Sequence, residues 1–418
     1  MTTKPTFIDL FAGAGGLSEG FIRAGFEPIA HVEMDKAACN TLKTRTAYFY
    51  LKENKRFSEY EDYLKGNITR DELYFKVKDN SLDSVINKPI GPENNPEIFK
   101  KIDEKLGQRK VDIIIGGPPC QAYSLVGRAR SSDGMKSDER NFLFVQYAEY
   151  LDRYQPKLFV FENVLGLKSA NKGFYLDSMK ELFKEKGYET NLFTLNARNF
   201  GVLQNRKRII IIGKRIDVSS QVPDLNSIKS ENRYLLKDIL SDLPELKDGQ
   251  GTFKNGSYAG NLSEYLKKTH IRNGISVLTQ HVSRPHSSLD KEIYKIAVEK
   301  WEKENERINY NDLPDHLKTH KNRTSFFDRF KIVAADLEYA QTVVAHIAKD
   351  GHYYIHPDKN QNRSISVREA ARIQSFPDDY FFEGENENSP RTAAFKQIGN
   401  AVPPLMAEKI AKTLIEKI

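Results

Sequence analysis

Five short apolar runs constrain this chain more than any other feature. Thr6–Leu10, Pro28–Val32, Val111–Ile115, Leu158–Phe161 and Arg208–Gly213 have strand length, and each closes on a turn rich in Gly, Pro, Asn or charge. Stretches of helical period alternate with them through the first half. That rhythm specifies an α/β fold, a mostly parallel sheet flanked by helices. In such open sheets ligands bind just beyond the carboxyl ends of the strands. Chemistry is therefore expected after Leu10, Val32, Ile115 and Phe161.

With 418 residues the chain can bury a large core and has room for two domains. Hydrophobic residues at 39% and charged residues at 29% exclude an intrinsically disordered chain. No apolar run approaches membrane-spanning length, and Ile209–Ile212 is a buried strand by size, so no membrane span is expected. The opening Met1-Thr2-Thr3-Lys4-Pro5 lacks the apolar stretch of a signal peptide, and the protein is expected to remain in the cytoplasm. Two cysteines, Cys39 and Cys120, build neither a disulfide framework nor a four-Cys zinc site. A formal charge of +7 and pI near 9.0 favour a polyanionic partner.

The periodic pattern is interrupted twice. Residues 46–106 are polar with scattered Tyr and Phe and read as a partly helical surface insertion without chemistry of its own. Residues 217–362 are Asn-, Lys- and His-rich and loop-prone. Periodicity returns at Ser366–Ile373 and in the tail from Leu405 to Ile418. The layout predicts one domain from residues 1–215 plus 391–418, interrupted by a second over residues 216–390.

Four strand-end motifs carry candidate chemistry. After the first strand comes Phe11-Ala12-Gly13-Ala14-Gly15-Gly16-Leu17, where glycines let a backbone approach a ligand closely. Ser18 replaces the third glycine of the dinucleotide fingerprint. Glu33, twenty residues past Gly13 at the end of the next strand, is placed to accept hydrogen bonds from ribose hydroxyls, and the pair points to an adenosine-type cofactor. In Gly116-Gly117-Pro118-Pro119-Cys120-Gln121, two prolines stiffen the turn and hold Cys120 out at the active edge of the sheet. Cys39, in an alanine-rich helical stretch, reads as a buried structural thiol. The loop after Cys120, with Arg128, Arg130 and Lys136, is small, polar and basic, as a lid over a phosphate backbone would be. Phe161-Glu162-Asn163-Val164 puts a carboxyl at a third strand end. In Gln204-Asn205-Arg206-Lys207-Arg208, Arg208 adjoins an apolar strand and is expected to point inward more than Lys207.

Taken in order, these blocks resemble the DNA cytosine-5 methyltransferases very closely. Asp-Leu-Phe-Ala-Gly-x-Gly-Gly, Glu-x-Asp, Gly-Gly-Pro-Pro-Cys-Gln, Glu-Asn-Val and Gln-x-Arg-x-Arg all match. So do the later Arg368–Pro377 block and Gln397-Ile398-Gly399-Asn400-Ala401-Val402-Pro403-Pro404. The resemblance covers about residues 6–45, 111–213 and 363–415. It implies an S-adenosylmethionine-dependent, Rossmann-like catalytic domain with a second, smaller target-recognition domain.

The resemblance further implies that Cys120 adds to C6 of a flipped-out cytosine, that Glu162 engages ring N3, and that Arg208 holds O2 with Arg206 supporting the same pocket. Phe11, Gly13, Gly16, Leu17, Glu33 on the ribose, Met34 on the adenine, Pro118, Asn400 and Ala401 would hold S-adenosylmethionine, leaving S-adenosylhomocysteine as product. The acid expected at the adenine amine falls within residues 46–106 and has no clear match. The target base must leave the duplex stack, at roughly a few kcal/mol. No metal is required. Gln121, Ser124, Arg128 and Arg130 would meet the DNA.

The middle region would choose the target. Residues 215–345 hold 20 Lys/Arg against 19 Asp/Glu, so charge is local, with Lys318, Lys321 and Arg323 in one basic concentration facing double-stranded DNA. The pairs His281/His286 and His316/His320 lack the companions of a zinc site. The leading expectation is a monomeric bacterial DNA methylase that protects against a separate cognate restriction endonuclease. A tRNA-modifying relative of the same domain, and a cofactor-sensing DNA binder without catalysis, are the alternatives. Intact Cys120, Glu162 and Arg208 oppose the last of these.

Overall fold

The computed structural model describes residues 4–78, 80–119, 142–230, 233–349, 351–387 and 390–418. One sheet organises the first half, from β1 (Thr6–Leu10), β2 (Glu27–Glu33), β3 (Val85–Asn87), β4 (Ile113–Gly116), β5 (Leu158–Asn163), β6 (Tyr188–Asn196) and β7 (Lys207–Arg215). The strand order is β3-β2-β1-β4-β5-β7-β6. The first five are parallel, whereas β7 runs antiparallel to both β5 and β6. This is the expected α/β, mostly parallel architecture. The chain steps outward from β1 to β3 and then resumes at β4 on the other side of β1, which opens a crevice at their carboxyl ends. Because β7 is reversed, its first residues lie at that same edge, beside the end of β5.

Helices cover both faces. On one, Ile8, Leu10, Ile114, Phe159 and Phe161 pack against α5 (Asn95–Leu106), α6 (Leu143–Tyr154) and α7 (Phe174–Glu185). On the other, Phe7, Ile113, Ile115, Val160 and Ile210 meet α1 (Gly16–Arg23) and the returning C-terminal helix Pro404–Ile415. Met406, Ile410 and Leu414 of that helix are fully buried, and each such side chain contributes roughly 2 kcal/mol. The two helices cross so closely that a Cβ at Gly20 would lie 2.4 Å from that of Ala407.

Residues 46–106 are not a surface insertion. They contain the end of α2 (Lys36–Glu53), then α3 (Phe57–Lys65), α4 (Arg70–Phe75), β3 and α5. Strand β3 pairs with β2 in the central sheet, and Ile98 and Ile102 of α5 lie in its core. Tyr48, Tyr60, Tyr63 and Leu73 pack on Ile275, Val277 and Phe381. Their hydroxyls find partners inside: Tyr60 donates to the Asp379 carbonyl at 2.7 Å and Tyr63 to Glu383 Oε1 at 2.5 Å. Tyrosines that satisfy both needs make a core that reads as polar.

The second half carries α8 (Lys237–Leu240), the short antiparallel pair β8 (Gly251–Thr252) and β9 (His281–Val282), α9 (Glu264–Lys268) and the long α10 (Ser288–Glu304). It rejoins the first through α11 (Val367–Ile373), α12 (Arg391–Asn400) and α13, the helix Pro404–Ile415. Ser366 and Glu369 form a capping box at the start of α11. Around it Arg363, Arg368 and Arg372 are fully buried. Arg363 grips both oxygens of Glu369 at 2.7 and 2.8 Å, and Arg372 bonds Asp242 and Asp378, each at 2.6 Å. Arg45 of α2 joins Glu19 of α1 to Asp379. Each charge so buried needs its partner, which fixes the geometry of the junction between the two halves.

Candidate active site

The turn after β1 is built on left-handed backbone. Phe11, Gly13 and Gly15 have φ of 57°, 55° and 77°. A Cβ at Gly13 would meet nothing within 4 Å, so Gly13 faces open space where a ligand can approach. Gly16 has a different reason to be glycine. A Cβ there would sit 2.3 Å from the Val402 carbonyl oxygen and 3.1 Å from Ala401 Cβ. Its missing side chain admits the returning chain, while Leu17 is buried in the core beneath.

Glu33 ends β2 and closes the turn. Its carboxylate accepts the backbone N–H groups of Gly13 (2.7 Å), Met34 (2.8 Å) and Asp35 (2.7 Å). Burial still moves its pKa upward, against these bonds. Met34 beside it is 65% exposed, an apolar side chain at the surface. Asn87, at the carboxyl end of β3, bonds the carbonyls of Glu33 and Met34 at 3.1 and 3.0 Å. Below the turn, Asp9 is buried with the Ser18 hydroxyl donating to it. Burial, opposed by that bond and assisted by Glu33, lifts Asp9 to about 8, so it carries a proton at neutral pH. The sequence assigned a role to neither Asp9 nor Asn87, although Asp9 opens the Asp-Leu-Phe-Ala-Gly-x-Gly-Gly block.

At the neighbouring strand ends the groups converge. Gly116 lies so near β1 that a Cβ would stand 2.3 Å from the Leu10 carbonyl oxygen. A Cβ at Gly117 would stand 2.7 Å from Glu162 Oε2, so the second glycine makes room for that carboxyl. Asn163 Nδ2 donates to the carbonyl of the buried Pro118 at 3.3 Å and fastens the Pro-Pro turn to the end of β5. Arg208, at the start of β7, places Nε 2.8 Å from Glu162 Oε1, each side chain 13% exposed. Lys207 is exposed, so the inward choice between the two falls on Arg208. Burial raises the pKa of Glu162, and the Arg208 and Arg206 charges oppose the rise. Cys120, Gln121, Ser124, Arg128 and Arg130 lie outside the described residues.

Arg206 occupies a different place from Arg208. It is fully buried and donates to the carbonyls of Val343 (2.7 Å), Gly399 (3.0 Å) and Ala401 (2.9 Å). Gln204 receives the Val343 N–H at 3.0 Å and donates to Gln374 Oε1 at 2.7 Å. Gln374 in turn donates to the Ile398 carbonyl at 2.7 Å. This knot delivers exposed Asn400 and buried Ala401 to the rim of the β1 turn. Gln374 was invisible as a site residue because its partners are 24 and 170 residues away.

Away from the site, Lys318 pairs with Asp315 at 2.7 Å, Arg323 donates to the Lys318 carbonyl at 2.8 Å, and Lys321 is exposed. The histidine pairs have other partners. His281 bridges Ser366 and the Pro244 carbonyl, His286 meets Ser364, His316 meets Glu292, and His320 stacks on Phe326 with centroids 4.0 Å apart. Among the described residues no helix is long and apolar enough to cross a membrane.

Comparison with known proteins agrees with this geometry. The family model for C-5 cytosine-specific DNA methylases matches residues 5–67 and 85–416. Type II methyltransferase M.Bpa9945I of Bacillus paralicheniformis is 42% identical, with 98% of each chain covered. Type II methyltransferase M.DdeI of Desulfomicrobium norvegicum is 30% identical, over 97% of this chain and 88% of the relative. Among solved structures, a protein described as a prophage-encoded DNA modification methyltransferase (E. coli) superposes with a TM-score of 0.63 at 21% identity, 99% of each chain covered. The Entamoeba histolytica methyltransferase EhMeth does so at 0.55 and 12%, with the same coverage, and these two likenesses establish the shared fold. With a family model spanning residues 5–67 and 85–416 and a relative 42% identical over nearly the whole chain, carried on a mostly parallel sheet whose strand ends gather a glycine turn, the Glu33 carboxylate and the Glu162–Arg208 pair, this protein belongs to the C-5 cytosine-specific DNA methylases.

Proposed function

We propose that this chain methylates C5 of one cytosine within a short duplex DNA sequence, using Cys120 as the covalent nucleophile. The observation that carries the reading is the Glu162–Arg208 pair, set beside Gly117 at the edge where Pro118 and Pro119 lead directly into Cys120. The other thiol is unsuited: Cys39 is buried, and burial pushes it up to about 12.

The reaction needs a nucleophile at C6, neutralisation at N3 and a hold on O2. The Cys120 thiolate forms the bond to C6, and the C5–C6 π pair moves to C5, where the methyl group is taken up. Glu162, whose proton is held more tightly than in water, donates to N3 as charge enters the ring. Arg208 donates to O2 while keeping Glu162 oriented. Loss of the C5 proton to solvent then expels the thiolate as N3 returns its proton to Glu162, and the aromatic ring is restored. Arg206 acts at one remove, as a positioning residue that holds the Gly399–Ala401 return in place.

The residues present fit S-adenosylmethionine, which supplies an electrophilic methyl on a sulfonium centre. Gly13 offers open backbone, Glu33 a carboxylate at ribose height, Met34 an exposed apolar side chain and Phe11, Pro118, Asn400 and Ala401 the surrounding rim, while Leu17, expected at the cofactor, instead packs in the core beneath. Gly16 contributes by admitting Ala401 and Val402. Asn87, bonded to the Glu33 and Met34 carbonyls beside this turn, is the residue we assign to the adenine contact for which the resemblance gave no acid.

Residues 216–390 are proposed to select the target, with Lys318, Lys321, Arg323 and the segment Gln121–Arg130 contacting DNA. The type II relatives suggest a protective methylase of a restriction–modification system, acting as a cytoplasmic monomer alongside a separate endonuclease. Bisulfite sequencing of DNA from a host expressing the protein tests the reading. Methylated cytosines in one short context are expected, and unmodified cytosines throughout, with soluble protein present, would overturn it.

A further inference from the structure

Strands β6 and β7 carry a row of bare cations at the catalytic end of the sheet. Asn196 pairs with Lys207 there and Thr194 with Ile209, so Thr194 and Lys207 share one face. Lys168, in the turn after β5, reaches the same face, where its Nζ donates to the Thr194 hydroxyl at 2.6 Å. Arg198 follows at the end of β6, and the Asn196 side chain receives its backbone N–H at 3.4 Å. The Arg198 guanidinium lies 5.7 Å from the centre of the Tyr339 ring.

Lys168, Arg198 and Lys207 are all exposed, and among the described residues none of the three forms an ion pair. Asp177 of α7 and Glu338, exposed acids on the adjoining segments, pair with none of them. The opposite end of the same two strands is built differently. Lys214 pairs there with Glu189 at 3.4 Å, and Arg215 with Asp217 at 2.6 Å. Charge is thus balanced away from the site and left bare beside it. Lys207 also directly precedes Arg208, which holds Glu162. A base bound by that pair brings its own sugar and flanking phosphates to this rim. Cations without an internal partner can neutralise those phosphates without first breaking an ion pair.

We propose that Lys168, Arg198 and Lys207 form a phosphate track that holds the backbone of the strand carrying the target cytosine. This rests on the DNA-methylating reading above. Lys168 and Lys207 meet phosphates as point charges, while Arg198, steadied by the Tyr339 ring, holds two oxygens of one phosphate.

The test uses the full chain with S-adenosylhomocysteine and a fluorescent duplex carrying the methylated context, titrated at several salt concentrations. Lys168→Gln, Arg198→Gln and Lys207→Gln should each weaken duplex affinity about tenfold at low salt. Each should also reduce the slope of log affinity against log salt by about one, and the triple variant by about three. Lys168→Arg and Lys207→Arg keep the charge and should keep the wild-type slope. S-adenosylhomocysteine affinity by calorimetry and the urea midpoint should stay unchanged in every variant, since the three side chains are exposed. DNA binding should also be unchanged in the control Lys186→Gln, whose lysine pairs with Asp152 at 3.3 Å. Wild-type affinity and slope in the triple variant would overturn the phosphate track while leaving the methylase reading intact. Wild-type protein that neither binds nor methylates duplex DNA would overturn both.

Discussion

Arg206 offers the sharpest quantitative test of the site's construction. Its guanidinium is fully buried and donates to three backbone carbonyls, of Val343, Gly399 and Ala401, at 2.7–3.0 Å. Arg206→Met keeps much of the volume and removes every donor. Each buried carbonyl left without a partner costs about 1–3 kcal/mol, and local relaxation recovers part of that. The variant should therefore lose about 3–5 kcal/mol of stability, read from the shift in urea midpoint at unchanged slope. Because two of the three carbonyls belong to the Gly399–Ala401 return, S-adenosylhomocysteine affinity should fall as well. A variant within 1 kcal/mol of wild type and with undiminished affinity would refute the idea that Arg206 ties the returning chain to the cofactor edge.

Other expectations follow from single contacts. Asp9 has its folded pKa raised from 3.8 to about 8, so the folded state holds a proton that the unfolded state has lost. Its effect on stability is therefore absent below about pH 4 and grows unfavourable, by about 1.4 kcal/mol per pH unit, up to about pH 8. Asp9→Asn should gain on wild type across that window in urea titrations, and parallel curves would contradict the assignment. Gly13→Ala should fold with a loss of about 1–2 kcal/mol but bind S-adenosylhomocysteine poorly by calorimetry, since its added methyl enters the open approach at φ 55°. Gly16→Ala should instead destabilise the fold by more than about 3 kcal/mol in the same urea assay, because Val402 and Ala401 must move. Gly117→Ala should displace the Glu162 carboxyl and lower the methylation rate at least about tenfold while sparing cofactor affinity, as a labelled-methyl assay would show.

The residues that could be read from the sequence are those whose local pattern equals their structural role. Apolar runs bounded by turns became β1 with the same bounds and β2, β4, β5 and β7 with ends displaced by no more than two residues. Strand β6 escaped because Tyr188–Asn196 is an edge strand whose polar residues mask its period, and β3 because three residues carry no period at all. The aromatic layer of residues 46–75 looked polar because its tyrosines satisfy their hydroxyls internally. Within the site, Glu162 and Arg208 were legible from strand ends, and the antiparallel β7 explains why they meet. The role of Arg206 was not legible, since its three acceptors come from segments 137 to 195 residues away. Nor was the split between Gly13 and Gly16, three residues apart in one motif yet glycine for opposite reasons, one facing open space and the other packed against protein.

The central claim is that Cys120 is the atom-level attachment point for the target base. The direct measurement is covalent capture on duplex DNA carrying 5-fluorocytosine at the methylated position, with S-adenosylmethionine present and the adduct mapped by peptide mass spectrometry. The fluorine at C5 blocks the proton loss that would release the enzyme, so the adduct should accumulate on the peptide containing Cys120 and vanish in Cys120→Ser. Capture on the Cys39 peptide, or capture that survives Cys120→Ser, would contradict the account.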